Sequence, residues 1–198
     1  MSQIQVGAGK AKIDVPKDLF PFPIYEGFRF DEMGDAGSLY ARAIVIDNGV
    51  TRFLFIGSDV TNAPGEDLRQ RIQEEFFIPV GNMFVTATHN HSAPYGGGSP
   101  GGGMLRNPEK ASKEAAYRVV YEKGIFEAIK QALKNLRNAR YGFGEGKSYI
   151  NVHRDLLMED GYWTQGQNFA GPSDKTLAAL KFVDEEGNLI GAVVNYAC

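Results

Sequence analysis

The chain has 198 residues, of which 43% are hydrophobic, and its formal net charge of −3 comes from well-mixed acidic and basic residues. This balance argues against a nucleic-acid-binding surface, which would show clustered Lys and Arg. The single cysteine, Cys198, excludes an internal disulfide and a Cys-rich zinc site, so any metal would be held by His, carboxylate or Tyr.

The first segment of the chain bears on where the protein resides. "MSQIQVGAGKAKID" has neither the basic region nor the apolar region of a signal peptide. No run approaches the roughly 18 apolar residues of a transmembrane helix. We therefore expect a soluble protein of unknown compartment, with export of a native form left open.

The clearest structural signal is the segment 39–59, "LYARAIVIDNGVTRFLFIGSD". Two runs of β-forming residues flank Asn48-Gly49, a dipeptide that suits a type I′ turn because both residues tolerate positive φ. The pattern predicts a β-hairpin. Its second arm, Phe53–Gly57, is almost entirely apolar, which predicts an interior strand covered on both faces.

A helix is predicted next, and a short strand follows it. Thr61 or Asn62 can cap the helix, Pro64 suits its first turn, and Pro79 ends it. Its core-facing stripe recurs every four residues, at Leu68, Ile72 and Phe76. The segment 82–89, "NMFVTATH", then predicts a buried strand that carries histidine at its C-terminal end.

A glycine-rich loop separates this strand from a long predicted helix. The helix opens at Asn107-Pro108-Glu109 and reaches about Arg137, with Gly124 as a weak point inside it. Its apolar stripe consists of Ile125, Ile129, Leu133 and Leu136.

The last third of the chain predicts strands. "ARYGFGEGKSYI" is typical of a strand with breaks, and 176–198 predicts a hairpin that turns at Glu186-Gly187-Asn188. Helices alternate with strands and two hairpins occur. The predicted fold class is therefore α/β, a layered domain with a mixed sheet and flanking helices.

Two of the three histidines, His89 and His91, stand one residue apart at the end of the predicted strand. Both would share a face if the strand continued. Imidazole is the commonest metal ligand, and catalytic zinc usually takes three protein ligands and leaves one position for water. An isolated pair of this kind is more often an ordinary surface or core pair. The location of the pair, directly after a buried strand, favours a metal site.

The glycine-rich loop after the histidines does not indicate nucleotide binding. It lacks the G-K-[ST] ending of a P-loop, and no G-x-G-x-x-G follows a strand. Its glycines, among them Gly97 and Gly98, would let the backbone approach a substrate and offer N–H groups to it.

Four segments together resemble a known family. "VGAGKAKID", "LYARAIVID", "FIGSDV" and "TATHNHSAPYGGG" occur in this order and are similar to the N-terminal part of the neutral/alkaline non-lysosomal ceramidases. The typical core there is A-T-H-T-H-S-[GA]-P, and Asn90 replaces its middle Thr. The resemblance covers most of the chain. It implies a zinc amidohydrolase that cleaves the N-acyl bond of ceramide, with a lipid substrate and peripheral membrane contact.

The resemblance also implies roles for individual residues. His89 would bind zinc, and His91 beside it would move protons toward the leaving amine. "HRDLLMEDG" matches a later family stretch, so Arg154 would stabilise the oxyanion. His153 and Asp155 depart from the usual Asn and Arg, which leaves the substrate open.

Asp59 lies at the C-terminal end of the inner strand. It is expected either to orient a histidine as a hydrogen-bond acceptor or to cap the helix before Thr61, and the sequence favours neither role.

The remaining ligands are expected outside this chain. The family's second zinc histidine follows a strand that ends like "VNYAC", and here the sequence stops at Cys198. A Glu and a Tyr ligand lie farther along in full-length members. Residues 1–198 are therefore expected to be the N-terminal portion of a catalytic domain whose missing C-terminal half completes the site. With one zinc ligand of four, we expect absent or weak metal binding and no activity.

Two other functions stay open at this point. The same scaffold could hydrolyse an amide or ester other than ceramide, as the residues around His153 and Asp155 allow. It could also serve as a catalytically silent binding domain.

Overall fold

The computed structural model of the chain describes residues 4–23, 29–34, 37–96 and 108–197. The chain divides into two compact units, Met1–Asn138 and Ala139–Cys198. Neither helix in the described residues is long and apolar enough to cross a membrane.

The first unit combines strands with two helices. In chain order it contains β1 (Ile4–Lys12), β2 (Phe22–Pro23), β3 (Arg29–Phe30), β4 (Tyr40–Asp47), β5 (Arg52–Ser58), α1 (Glu66–Phe76), β6 (Met83–Ala87) and α2 (Pro108–Lys134). Strands β1, β4, β5 and β6 lie side by side in that order. The first two pairs are antiparallel and β5–β6 is parallel. This mixed sheet with packed helices confirms the predicted α/β class.

The second unit is built from strands. It contains β7 (Arg137–Lys147), β8 (His153–Leu157), β9 (Trp163–Asn168), β10 (Thr176–Val183) and β11 (Leu189–Tyr196). Strand β10 pairs antiparallel with both β7 and β11, and β8 pairs antiparallel with β9. The predicted second hairpin is thus confirmed as β10–β11, and β7 is one continuous strand in place of a broken one.

The first hairpin forms as predicted, but its turn differs. Register runs to Asp47 opposite Arg52, which leaves a four-residue loop, and only Gly49 in it has a positive φ. The predicted type I′ turn is therefore wrong. The carboxylate of Asp47 accepts the Gly49 N–H at 2.8 Å, and the Asn48 amide oxygen accepts the N–H groups of Val50 and Thr51. These side chains replace the backbone turn that the dipeptide suggested.

Strand β5 is interior, because it lies between β4 and β6. Its two faces differ, however: Leu54 and Ile56 are fully buried, whereas Phe53 and Phe55 are only partly buried. The ring of Phe55 packs 5.9 Å from that of Phe84, which is itself 54% exposed. The expectation that both faces are fully covered is therefore wrong.

Helix α1 carries the predicted buried stripe of Leu68, Ile72 and Phe76, but it begins later than expected. Its N-cap is Gly65, and no side chain caps it. The predicted caps Thr61 and Asn62 and the first-turn role of Pro64 are wrong, because the helix starts only at Glu66. The Thr61 hydroxyl instead donates to two loop carbonyls.

Helix α2 packs against β1 at unusually short range. A Cβ at Gly7 or Gly9 would overlap the carbonyl oxygens of Ala132 and Ala128, and one at Gly124 would overlap the Ile13 side chain. Gly124 is thus required for packing, which explains a residue of low helix propensity inside the helix. Ile125 and Ile129 are buried as predicted. The fully buried Tyr117 and Tyr121 of α2 were not predicted from the sequence.

Candidate active site

The two histidines converge directly after β6. This strand ends at Ala87, two residues earlier than predicted, and His89 adopts a left-handed φ of 54°. The Nε2 atoms of His89 and His91 lie 3.3 Å apart, and the two rings meet edge to face with centroids 4.8 Å apart. A turn therefore brings the two imidazoles together, in place of the strand alternation that the sequence suggested. A non-glycine residue with this φ is uncommon, and such residues concentrate at functional sites.

The backbone carbonyl of Thr61 determines the tautomer of His89. Nδ1 of His89 lies 2.8 Å from this oxygen. A carbonyl can only accept, so Nδ1 carries the proton and Nε2 presents its lone pair in the neutral ring. Nε2–H of His91 then donates to Nε2 of His89. In metal-binding histidines, the ring nitrogen that does not bind the metal usually donates its N–H to a carbonyl or carboxylate, as Nδ1 of His89 does here.

Residues after the histidines are tied to the segment that follows β5. The N–H groups of Thr61 and Asn62 donate to the carbonyls of Pro94 and Tyr95, both at 3.0 Å. Gly96 has a φ of 78°, and a Cβ there would come within 2.6 Å of Val60 Cγ2. The loop can approach the segment after β5 this closely only because residue 96 is glycine.

A cleft of about 320 Å³ opens beside the histidine loop. Its polar lining consists of Glu32, Ser38, Asp59, Asn90 and Ser92. Its apolar lining includes Val15, Phe30, Met33, Leu39 and Pro94. A mixed lining of this kind is typical of sites that bind small organic ligands.

Asp59 lies on this cleft, and its bonds run to β4. The carboxylate accepts the Tyr40 N–H at 3.0 Å and the Arg42 guanidinium at 2.9 Å. No described hydrogen bond joins Asp59 to either histidine or to the start of α1. The expected role of Asp59 in orienting a histidine stays a prediction. The acceptor that contacts Nδ1 of His89 is the Thr61 carbonyl.

Glu114 of α2 was missed by sequence analysis and lies next to the loop. Its Oε1 accepts the backbone N–H of Tyr95 at 3.4 Å. Burial raises the pKa of this carboxyl to about 7, although the hydrogen bond from Tyr95 opposes the shift. No periodic signal marks it, because Glu114 lies on a helix segment whose charged residues look like a solvated face.

Arg154 lies in the second unit, on β8. Its Nε donates to the carbonyl of Gly166 at 2.7 Å, and the side chain is exposed. The neighbouring His153 Nδ1 lies 3.2 Å from the Asp155 carbonyl. These contacts do not test the catalytic role of Arg154, which stays a prediction. Gly97 and Gly98, predicted to contact substrate, lie outside the described residues, as does Cys198.

The donor atoms fit a metal in part. His89 presents an unprotonated Nε2. Two nitrogen ligands of one tetrahedral zinc, at Zn–N of about 2.0–2.1 Å, would lie about 3.4 Å apart, close to the separation of the two Nε2 atoms. Within the described residues, no three His, Cys, Asp or Glu side chains form a group that could hold a metal ion. Further ligands are therefore needed for a catalytic site.

The signal that could have located Thr61 is the parallel pairing of β5 with β6. The carboxyl ends of neighbouring parallel strands meet at one edge of a sheet. Residues 59–62 after β5 and residues 88–91 after β6 are therefore neighbours. The sequence pattern alone indicated only a helix cap at Thr61, because this relationship depends on which strands pair.

Comparison with known proteins gives consistent matches along the chain. A family model described as "Neutral/alkaline non-lysosomal ceramidase, N-terminal" matches residues 5–198. The neutral ceramidase of Drosophila melanogaster is 27% identical over 206 residues, which cover 98% of this chain and 28% of that protein. The neutral ceramidase of Pseudomonas aeruginosa is 26% identical over 165 residues, which cover 78% of this chain and 24% of that protein.

Solved structures share the fold. The crystal structure of the neutral ceramidase from Pseudomonas aeruginosa matches with a TM-score of 0.67 at 22% identity, over 98% of this chain and 31% of that chain. A structure described as "Ceramidase complexed with C2" matches with a TM-score of 0.66 at 21% identity, with the same coverage. The chain thus spans less than a third of the length of these relatives. Because the family model matches nearly every residue, the chain belongs to the neutral/alkaline non-lysosomal ceramidase family, in the N-terminal region that this model describes.

Proposed function

We propose that the protein is a zinc-dependent amidohydrolase that cleaves the N-acyl amide bond of ceramide or a related N-acyl lipid. The observation that carries this proposal is the convergence of His89 and His91, with Nδ1 of His89 bonded to the Thr61 carbonyl. Family membership supports the choice of reaction, because the curated relatives are neutral ceramidases.

His89 is the metal ligand in this proposal. Its Nε2 lone pair is directed away from Thr61 by the bond at Nδ1. Zinc, when bound, lowers the pKa of a coordinated water to about 7 and polarises a carbonyl. The remaining ligands come from parts of the protein outside residues 1–198, since this chain spans 28% of the length of its curated relatives. The chain alone is then expected to bind zinc weakly and to lack activity.

The other site residues act on the substrate. His91 transfers a proton to the leaving amine through Nε2, and Arg154 donates to the oxygen that gains negative charge. The backbone N–H groups of Gly97 and Gly98 hold the substrate. A lipid substrate also requires contact with a membrane or micelle surface, from which the acyl chain enters.

A hydrolase of another amide or ester is the second candidate. It is favoured by the residues that flank Arg154 on β8, because His153 and Asp155 stand where the family usually has Asn and Arg. Residues next to a reacting centre determine which substrate fits.

The test uses the protein at its natural length and the variant His89→Ala. Metal content and hydrolysis of a panel containing ceramide, short N-acyl amides and esters are measured together. We expect zinc and ceramide hydrolysis in the unchanged protein and neither in the variant. The matched control, Glu186→Ala, changes an exposed turn residue of the second unit and should keep both.

Three results decide between the candidates. Hydrolysis of a small amide or ester without ceramide hydrolysis would favour the second candidate. Absence of bound metal in the unchanged protein would refute zinc catalysis. Absence of metal together with absence of any hydrolysis would favour the silent binding domain.

A further inference from the structure

Thr61 contacts the histidine loop with every polar group that it has. Its N–H donates to the Pro94 carbonyl at 3.0 Å. Its hydroxyl lies 3.0 Å from the Asn90 carbonyl and 3.2 Å from the Ala93 carbonyl. Its own carbonyl accepts Nδ1–H of His89 at 2.8 Å. These contacts surround the turn that carries both imidazoles.

The hydroxyl is well placed to hold that turn. Thr61 is only 4% exposed, so water does not compete for its bonds. A hydroxyl has one proton, and here it is shared between two carbonyls, as a three-centre bond allows. The two carbonyls belong to residues on either side of His91. Loss of this donor would leave both acceptors without their shared partner and free the loop to change shape.

We infer that Thr61 is a positioning residue for His89. Its side chain fixes the turn 90–93, and its backbone carbonyl holds the imidazole as the Nδ1–H tautomer with the Nε2 lone pair toward His91. The catalytic meaning of this inference rests on the proposed zinc hydrolase, but the tautomer can be measured without it. Thr61 acts through His89 and needs no contact with the substrate.

Threonine and serine are equivalent in this role, whereas valine is not. Thr61→Val keeps the shape and the backbone groups but removes the hydroxyl. Thr61→Ser keeps the hydroxyl and removes one methyl group. Thr86→Val is the matched control, because Thr86 is an exposed residue of β6 whose hydroxyl donates to the neighbouring Ala87 carbonyl and not to the histidine loop among the described residues.

The test is ¹⁵N NMR of the three histidines in this chain, with His89 assigned from the spectrum of His89→Ala. We expect the Nδ1–H form of His89 in the unchanged chain, in Thr61→Ser and in Thr86→Val. Thr61→Val should show a mixture of the two tautomers. In natural-length protein, zinc affinity should fall about 10- to 100-fold in Thr61→Val and recover in Thr61→Ser.

The inference is overturned if folded Thr61→Val keeps the Nδ1–H form, or if folded Thr61→Ser loses it. The second criterion applies even if the valine variant does not fold. If the natural-length protein binds no zinc while the tautomer responds as expected, the proposed function fails and the positioning role stands.

Discussion

The carboxylate of Glu114 in α2 accepts the backbone N–H of Tyr95, with 3.4 Å between Oε1 and N. This contact joins the long helix to the loop that follows the histidines. The side chain is partly buried, and burial raises the pKa of its carboxyl to about 7. Near neutral pH the helix therefore holds the loop through a group that is close to its own titration point.

This pKa predicts a pH-dependent cost to stability. Below about pH 4.5 the carboxyl is protonated in both the folded and the unfolded chain, so it contributes nothing. As pH rises toward 7, the unfolded chain ionises first, and the folded state loses stability by an amount on the order of 3 kcal/mol. Glu114→Gln should therefore be more stable than the unchanged chain at pH 8 and equal to it at pH 4.

Denaturant unfolding at pH 4, 6 and 8 measures this difference. Glu127→Gln provides the baseline, because it changes an exposed carboxylate on the same helix. A constant difference between Glu114→Gln and the unchanged chain at all three pH values would contradict the prediction.

The close approach of α2 to β1 predicts that Gly9→Ala is strongly destabilising. The new methyl group would overlap the Ala128 carbonyl oxygen, which belongs to the helix backbone and cannot move alone. Helix and strand would have to separate, at a cost of about 3 kcal/mol in the free energy of unfolding. Urea unfolding checks this. The control Gly142→Ala has open space around the new methyl group and should change stability by less than about 1 kcal/mol.

The edge-to-face pair predicts different results for the two histidines in natural-length protein. His91→Ala should lower kcat by about 10²- to 10⁴-fold and keep the zinc, because it removes a proton donor. His89→Ala should lose both. Metal analysis alongside steady-state kinetics makes the comparison. Loss of zinc in His91→Ala would instead identify His91 as a second ligand, which the 3.3 Å separation of the two Nε2 atoms also allows.

We expect Arg154→Ala to lower kcat without affecting folding. Its side chain is exposed, and Nε donates to the Gly166 carbonyl, so few contacts are lost in Arg154→Ala. Removing a donor to a developing oxyanion commonly lowers kcat about 10²- to 10³-fold. The control Arg140→Ala removes another exposed guanidinium of the second unit, which donates to the Glu185 carbonyl at 3.0 Å. Equal kinetics in both variants would argue against a catalytic role for Arg154.

Predictions from the sequence succeeded where the signal was local. The stripe Leu68, Ile72 and Phe76 is buried in α1 because helical periodicity places these residues on one face. The hairpins formed because runs of β-forming residues flank turn residues. The type of the first turn was missed because the side chains of Asp47 and Asn48 take over its hydrogen bonds.

The predicted full burial of the second face of β5 was also wrong. Apolar composition indicates which faces of a strand could be buried, but the neighbouring elements determine which faces are covered. Here the ring of Phe55 packs against those of Phe53 and Phe84, with centroids 4.9 and 5.9 Å away, and the three side chains stay partly or largely exposed.

The sequence by itself determined the family, the α/β class and the pair His89–His91, because these depend on residue types and their order. Only the tertiary structure decided which nitrogen of His89 carries the proton and which group holds it. Thr61 and His89 are 28 residues apart in sequence, and the parallel pairing of β5 with β6 brings the ends of the two strands together. A hydrogen bond across that distance depends on how the chain folds back on itself, which no local pattern encodes.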